Sequence, residues 1–246
     1  MNFDRIIAVR NDKTVYRDGD RCVKVFGGGY TCAEVLNEAH NQALALEAGL
    51  RVPKVLEVTR FDGKWALVSE YIKGTSLEEL MRRNPEKRDG YMQLFVDLQL
   101  AMHAKTCPEM PKLRDKMNRR ICGTDLTATL RFSLHAMLDD MPKHGKVCHG
   151  DFCPENIIIS EEGEPYILDW SHATQGNASA DAARTYLLFW LSGDIDGADK
   201  YIKMFCEKSN TEMNYVKKWM PLVAAVRTLS GKEAEREFLH SWFDIQ

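Results

Sequence analysis

In the second half of the chain apolar residues recur mostly at helical spacing, and the segment from Val147 to Trp170 breaks that pattern. It reads VCHGDFCPENIIIS, EEGE, PYILDW. The β-branched run Ile157-Ile158-Ile159 and the run Tyr166-Ile167-Leu168 are short buried strands by composition, and Glu161 to Glu164 with its glycine is the turn between them. Asp151 and Asn156 precede the first strand and Asp169 follows the second, so a hairpin can bring Asp169 back beside the other two. A loop that runs into a buried strand is a costly place for an unpaired carboxylate, so Asp151 either caps something or does chemistry. Asn156 and Asp169 supply hard oxygen ligands, suited to a Mg²⁺ ion that keeps waters and meets phosphates. Asp151 is then left to face a substrate hydroxyl.

The first seventy residues read differently. Arg5–Val9, Thr14–Arg17 and Arg21–Phe26 are short β-branched runs, with Arg17-Asp18-Gly19-Asp20 as a turn between the last two. A helix follows, opened by a Thr31/Glu34 capping box and closed near Gly49 and Pro53. Lys54–Arg60 and Lys64–Ile72 form a second hairpin about Phe61-Asp62-Gly63. Thr75 or Ser76 caps a short helix, residues 84–90 read as a polar loop, and Tyr91–Ala104 as a buried helix. Helical patterns return at Asp125–Met141 and from Asp181 onward. The predicted fold class is α+β and bilobal: an N-terminal antiparallel sheet with one helix over residues 1–72, and a larger, mostly helical lobe over 73–246.

A hydrophobic content of 44% and a charged content of 28% are ordinary for a soluble globular protein. The formal charge of −3 argues against nucleic acid as a partner, while still permitting a local basic pocket. Seven scattered cysteines without a CxxC pair point to reduced thiols and a cytoplasmic setting. The N-terminal residues carry no leader pattern, and the longest apolar run, Tyr186–Leu191, is far too short to span a membrane.

HGDFCPENI followed by ILDW resembles the catalytic loop and metal-binding turn of aminoglycoside-phosphotransferase and choline-kinase-like enzymes, relatives of the protein-kinase fold. The kinase pattern H-R-D-x-x-x-x-N has the same Asp-to-Asn spacing, with Gly150 here in place of Arg. The resemblance implies transfer of the γ-phosphate of ATP (or GTP) to a small-molecule hydroxyl. Asp151 would receive the hydroxyl proton, Asn156 and Asp169 would hold Mg²⁺, and His149 would shape the loop. Lys24, on the same strand face as Cys22 and Phe26, would bind nucleotide phosphates and pair with a helix glutamate. Glu34 and Glu38 both qualify, and Glu38 fits better because Glu34 is committed to the cap. Backbone groups of Glu70 and Ile72 would meet the adenine edge, with Tyr71 nearby. Asp181 would bond the backbone of the catalytic loop, and Arg184, one turn on, is spaced for a helical pair with it. The first hairpin loop, Arg10 to Thr14, lacks the glycines that relatives often use to cover phosphates, although Lys13 or Thr14 can supply donors. The glycines at 27–29 follow Lys24 and belong to a strand-to-helix loop.

Two other classes share these residues. A protein kinase needs a long activation segment, and only eleven residues separate Asp169 from Asp181, with no DFG or APE. A non-catalytic binding protein of the same fold would be expected to have lost one of Lys24, Asp151, Asn156 or Asp169, and all are present. For the acceptor, Ser171, His172, Trp190, Trp219 and Trp242 are candidates, the tryptophans for a cationic choline-like ligand. Asp194, Asp196 and Asp199 are candidates for an aminoglycoside. Thiamine and sugars are further acceptors that the resemblance allows.

Overall fold

The computed structural model describes residues 5–10 and 12–243. The chain opens with β1 (Arg5–Arg10), β2 (Lys13–Asp18), β3 (Arg21–Phe26), α1 (Cys32–Glu47), β4 (Val55–Phe61), β5 (Lys64–Glu70), β6 (Gly74–Ser76) and α2 (Leu77–Arg83). It continues through α3 (Arg88–His103), α4 (Leu113–Cys122), α5 (Ala128–Asp140), β7 (Lys146–Cys148), β8 (Ile157–Ser160), β9 (Pro165–Ile167) and β10 (Thr174–Gly176). The last elements are α6 (Ala178–Leu191), α7 (Ile195–Ser209), α8 (Met213–Lys217), α9 (Met220–Arg227) and α10 (Arg236–His240). The architecture is α+β, with an antiparallel N-terminal sheet and a helical C-terminal part. No helix among the described residues is long and apolar enough to cross a membrane.

Packing groups the chain into two compact units, Met1–Lys87 with Pro154–His172, and Arg88–Cys153 with Ala173–Gln246. In the first, a five-stranded sheet runs β1-β2-β3-β5-β4. Alternation along β3 sends Val23 and Val25 to one face, against Ala66 and Val68, and Phe26 to the other, against Val35, Ala39 and Leu67. The β4–β5 hairpin turns on Asp62 (φ 47°) and Gly63 (φ 75°), the positive-φ pair that a tight hairpin needs. α1 begins with a complete capping box, Thr31 and Glu34 each satisfying the other's backbone N–H. β6 pairs with β8, Thr75 opposite Ile159, which ties Gly74–Ser76 to the β8–β9 hairpin. Gly74 is needed there, since a Cβ would sit 2.1 Å from the Ile159 carbonyl oxygen.

In the second unit α6 is buried almost all round, with Ala180, Ala182, Ala183, Thr185 and Leu187 in the core. Phe95 of α3 packs on Phe152 with ring centroids 4.6 Å apart and meets Phe189 and Tyr201 edge-on. β7 pairs with β10, Cys148 opposite Thr174. Residues 84–90 are not a plain loop: Pro85–Lys87 form a 3₁₀ turn and α3 begins at Arg88. The polar residues of this stretch lie on the solvent side of helical turns, where polarity does not oppose helix formation. A further helix, α4, was not anticipated, although Leu113, Met117 and Ile121 recur there every four residues.

Candidate active site

Within the first unit a cleft of about 470 Å³ is lined by Lys13, Lys24, Glu38, Asn156 and Asp169, with Glu70, Tyr71 and Ile72 also on its wall. Strand alternation delivers Lys24, and the second turn of α1 delivers Glu38, which is 3% exposed. Lys24 Nζ lies 2.5 Å from Glu38 Oε1 and 3.3 Å from Asp169 Oδ1. Burial by itself pushes the Lys24 ammonium down, but the carboxylates of Asp169 and Glu38 outweigh it and hold the pKa above its ordinary value. Glu34 is spent on the cap, its Oε2 accepting from the Thr31 backbone at 2.8 Å.

The Leu168 N–H donates to the Asn156 carbonyl at 2.8 Å, which joins the two ends of the hairpin. Asp169 then takes φ of 60°, an uncommon conformation for a residue with a Cβ. Trp170, fully buried, anchors this turn by donating from Nε1 to Ile167 O at 3.0 Å and accepting from Asn41 Nδ2 on α1 at 3.2 Å. Ser171, one of the acceptor candidates, donates instead to Asp169 Oδ1 at 2.9 Å. The Glu70 N–H is taken by Lys54 O and the Tyr71 N–H by Asp20 O, while the Tyr71 ring lies 4.6 Å from the Arg17 guanidinium.

Asn11 of the first hairpin loop lies outside the described residues. Its neighbour Asp12 accepts from the Gly27 N–H at 2.6 Å, and a Cβ on Gly27 would come within 2.1 Å of the Asp12 carboxylate. The first glycine of FGGGY therefore lets this loop close on the end of β3. Lys13 turns into the cleft, its Nζ 3.6 Å from Glu38 Oε2.

Asp151 belongs to the second unit. The preceding Gly150 has φ of 78°, which explains a glycine where protein kinases carry arginine. His149 is fully buried and its Nδ1 accepts from the Asp151 N–H at 3.2 Å. The loop is tied to α6 by Asp181, which accepts from Gly150 N–H at 2.7 Å, His149 N–H at 3.2 Å and His103 Nε2 at 2.9 Å. Thr185 Oγ1 adds a bond to Phe152 O at 3.0 Å. Burial drives the Asp181 carboxyl upward, but His103 and the loop amides more than compensate and hold its pKa below normal. Such a group stabilises the fold above its unfolded value of about 3.9 and loses that contribution as pH falls through the lower folded value. Acid titrations should accordingly show Asp181→Asn losing less stability than the wild type across that window, and equal losses would refute the assignment.

Arg184 does not pair with Asp181, whose oxygens are filled by the loop. Its Nη2 lies 3.4 Å from Asp151 Oδ1 instead. The Asp151 side chain keeps 29% exposure against 15% for Arg184, so the carboxylate stays accessible while the guanidinium is largely covered.

The acidic run at 194–199 is structural at its first member: Asp194 caps α7, accepting from Gly197 N–H at 3.0 Å, and pairs with Arg88. Asp196 and Asp199 are exposed on the first turns of that helix. Trp219 is buried, and Trp190 stacks on Phe238 with centroids 5.5 Å apart, Phe238 in turn meeting Trp242 edge-on. His172 is exposed in the first unit.

Sequence reasoning missed the surroundings of Asp151 on the α4 side. Lys116 of α4 and Arg184 of α6 lie near this carboxylate, Arg119 and Arg120 near Lys116, and Arg227 near both Arg184 and Arg120. Burial, then Arg120 and Arg184, push the Lys116 ammonium down to about 7, with Asp151 acting in the opposite direction. Arg120 Nη2 donates to Val226 O at 3.2 Å, and its Nε is buried with no hydrogen-bond partner among the described residues.

Comparison with known proteins places this geometry. The model of the phosphotransferase enzyme family APH matches residues 7–212. No curated protein matches by sequence. Among solved structures, a choline/ethanolamine kinase family protein from Mesorhizobium loti is similar at 16% identity and TM-score 0.65, covering 100% of this chain and 89% of that one. A thermostable mutant of aminoglycoside phosphotransferase APH(4)-Ia, in ternary complex with ADP and hygromycin B, is similar at 16% identity and TM-score 0.71, with 98% and 91% coverage. Choline kinase LicA from Streptococcus pneumoniae is similar at 16% identity and TM-score 0.63, again with 98% and 91% coverage. These likenesses are of fold, and the family match extends over most of the sequence; the chain belongs to the phosphotransferase enzyme family.

Proposed function

We propose that the protein transfers the γ-phosphate of ATP (or GTP) to a hydroxyl of a small molecule. The observation that carries this reading is the convergence of Lys24, Glu38 and Asp169, with Asn156, on one cleft. A partly buried lysine held charged by two carboxylates is a ready partner for phosphate oxygens. Similar folds crystallised with ADP and with AMP-PNP support the choice of nucleotide.

In this reading residues 1–72 form the nucleotide-binding lobe and 73–246 the catalytic and acceptor-binding lobe. Lys24 contacts the phosphates and Glu38 fixes its ammonium. The Glu70 carbonyl and the Ile72 N–H meet the base edge, a division of labour consistent with the Glu70 N–H being committed to Lys54 O. Asn156 and Asp169 would hold Mg²⁺. Two hard oxygen ligands suit an ion that completes its shell with phosphates and water, and no cluster of three or more His, Cys, Asp or Glu side chains occurs among the described residues to demand a different metal. Bound there, the ion neutralises charge on the phosphates.

Asp151 orients the acceptor hydroxyl and takes its proton. The acceptor oxygen forms a bond to the γ-phosphorus, the bond from that phosphorus to the β–γ bridging oxygen breaks, and the nucleoside diphosphate leaves. Reduced cysteines, all seven of them free thiols, support a cytoplasmic location.

Thermal unfolding with Mg²⁺–ATP and Mg²⁺–GTP, each with and without amino alcohols, sugars, thiamine and aminoglycosides, tests the reading. A nucleotide-dependent rise in melting temperature supports it, and none at millimolar nucleotide counts against it. Lys24→Met should weaken Mg²⁺–ATP binding roughly 10-fold or more, as expected for losing charge-assisted bonds to phosphate. Calorimetric affinity equal to wild type would remove Lys24 from the site.

A further inference from the structure

We propose that Cys122 is a nucleophilic thiol that exchanges with small-molecule disulfides, with His135 as its base and Asn118 as the positioning residue of that base. The inference goes beyond phosphoryl transfer and does not depend on it.

Two helices of the second unit build the arrangement. Asn118 and Cys122 stand at i and i+4 on α4, so their side chains share one face of that helix. His135 of α5 meets both: its Nδ1 lies 2.7 Å from Asn118 Oδ1, and its Nε2 lies 3.5 Å from Cys122 Sγ. An amide oxygen only accepts, so the imidazole proton sits on Nδ1 and Nε2 presents its lone pair to the thiol. A nucleophile within reach of a base, and a base oriented by a third group, is the pattern of an activated side chain. Of the seven cysteines, three are buried, three are half-buried and Cys122 is exposed.

A purely structural role accounts for half of this. The Asn118–His135 bond ties α4 to α5 across 17 residues of chain. Such a tether uses Nδ1 alone. It gives no reason for Nε2 to face a thiol at the open end of α4, where water would satisfy the ring equally well. Two exposed apolar side chains adjoin these residues. Leu229 is 41% exposed and lies 3.8 Å from where a Cβ on Gly123 would sit, and Phe132, 74% exposed, precedes His135 by one turn of α5. They offer contact to the apolar part of an incoming molecule.

The neighbouring backbone selects the chemistry. Acyl transfer needs N–H donors for an oxyanion beside the nucleophile. The two that follow Cys122 are engaged in closing the helix: Gly123 N–H donates to Arg119 O at 3.2 Å and Arg120 O at 3.0 Å, and Thr124 N–H to Ile121 O at 3.2 Å. Exchange with a disulfide needs no such donors, only a thiolate and access to it. His135 Nε2 takes the Sγ proton, and Cys122 Sγ attacks one sulfur of the disulfide. A new S–S bond forms, the old one breaks, and the leaving thiolate recovers the proton from the imidazolium. One disulfide and one thiol enter, one of each leaves, and no outside oxidant is consumed.

The test uses the full chain, reduced and then freed of reductant, with oxidised glutathione as the probe. Peptide mass spectrometry follows mixed-disulfide formation at each cysteine over time. His135→Ala should slow the reaction at Cys122 roughly 10-fold or more while leaving the rate at Cys32 unchanged, as expected for losing the base that generates the thiolate. His135→Phe, which keeps a ring against α4 but has no base, should do the same. Added imidazole should restore part of the rate in His135→Ala. Asn118→Leu should slow Cys122 as well, and Asn118→Asp, which retains an oxygen for Nδ1–H, should not. Thermal unfolding checks that each variant folds. A merely structural trio would shift melting temperatures without changing the rate at Cys122. Absence of a mixed disulfide at Cys122, or an equal rate there in His135→Ala and His135→Phe, overturns the proposal.

Discussion

Asp151→Asn should lower turnover about 10²–10⁴-fold while leaving the melting temperature close to wild type, the usual scale for losing a positioned general base. The amide keeps the size of the carboxylate and an oxygen that can accept from Arg184, so the loop loses little packing. It cannot receive a proton. The His149 Nδ1 contact to the residue 151 N–H uses the backbone and survives the substitution. Rates should therefore fall in single-turnover as well as steady-state measurements, with nucleotide affinity unaltered. A variant that turns over like the wild type would remove Asp151 from the chemistry.

Asp181→Ala should have the largest effect on stability. Its carboxylate is buried and accepts from two loop amides, His103 Nε2 and, at 3.4 Å, Gln99 Nε2. Truncation strands these donors in the core and leaves a cavity. Breaking a buried charged network of this kind costs roughly 3–5 kcal/mol, because the desolvated partners are left unpaired. For a chain of this size that corresponds to a fall in melting temperature of roughly 6–20 °C. Activity should fall with it, since the His149–Gly150 backbone that presents Asp151 loses its anchor. The contrast is diagnostic: Asp151→Asn separates activity from stability, and Asp181→Ala does not. An Asp181→Ala protein that melts with wild type would mean that the loop is held by Thr185 and Phe152 alone.

Much of the site was legible because local rules specify it. The Thr31/Glu34 capping box placed the start of α1 and thereby freed Glu38 for the lysine. Alternation on β3 placed Lys24 opposite Val23 and Val25. The isoleucine run and the glycine-containing turn placed the β8–β9 hairpin. Each depends on residues within a few positions of one another, where periodicity and turn chemistry decide the outcome.

Other features were not legible. Arg184 looked like a helical partner of Asp181, yet the buried carboxylate is filled by groups far away in sequence, and the arginine turns to Asp151. The Asp194 run looked like a site for an amine, yet its first member is a helix cap. α4 carried a readable signal in Leu113, Met117 and Ile121, but its many charges masked a stripe of one apolar residue per turn.

What the amino-acid sequence determined by itself was the fold class, the hairpin that carries Asn156 and Asp169, and the strand face and helix turn that carry Lys24 and Glu38. What only the tertiary structure decided was charge balance: which carboxylates Lys24 meets, and how many cations gather near Asp151. The reason is physical. Hydrogen-bonding pattern and apolar period act over one or two turns of chain, whereas the electrostatics of a half-buried group sum over every neighbour in space, and those of Asp151 come from α4 and α6 as well as its own loop.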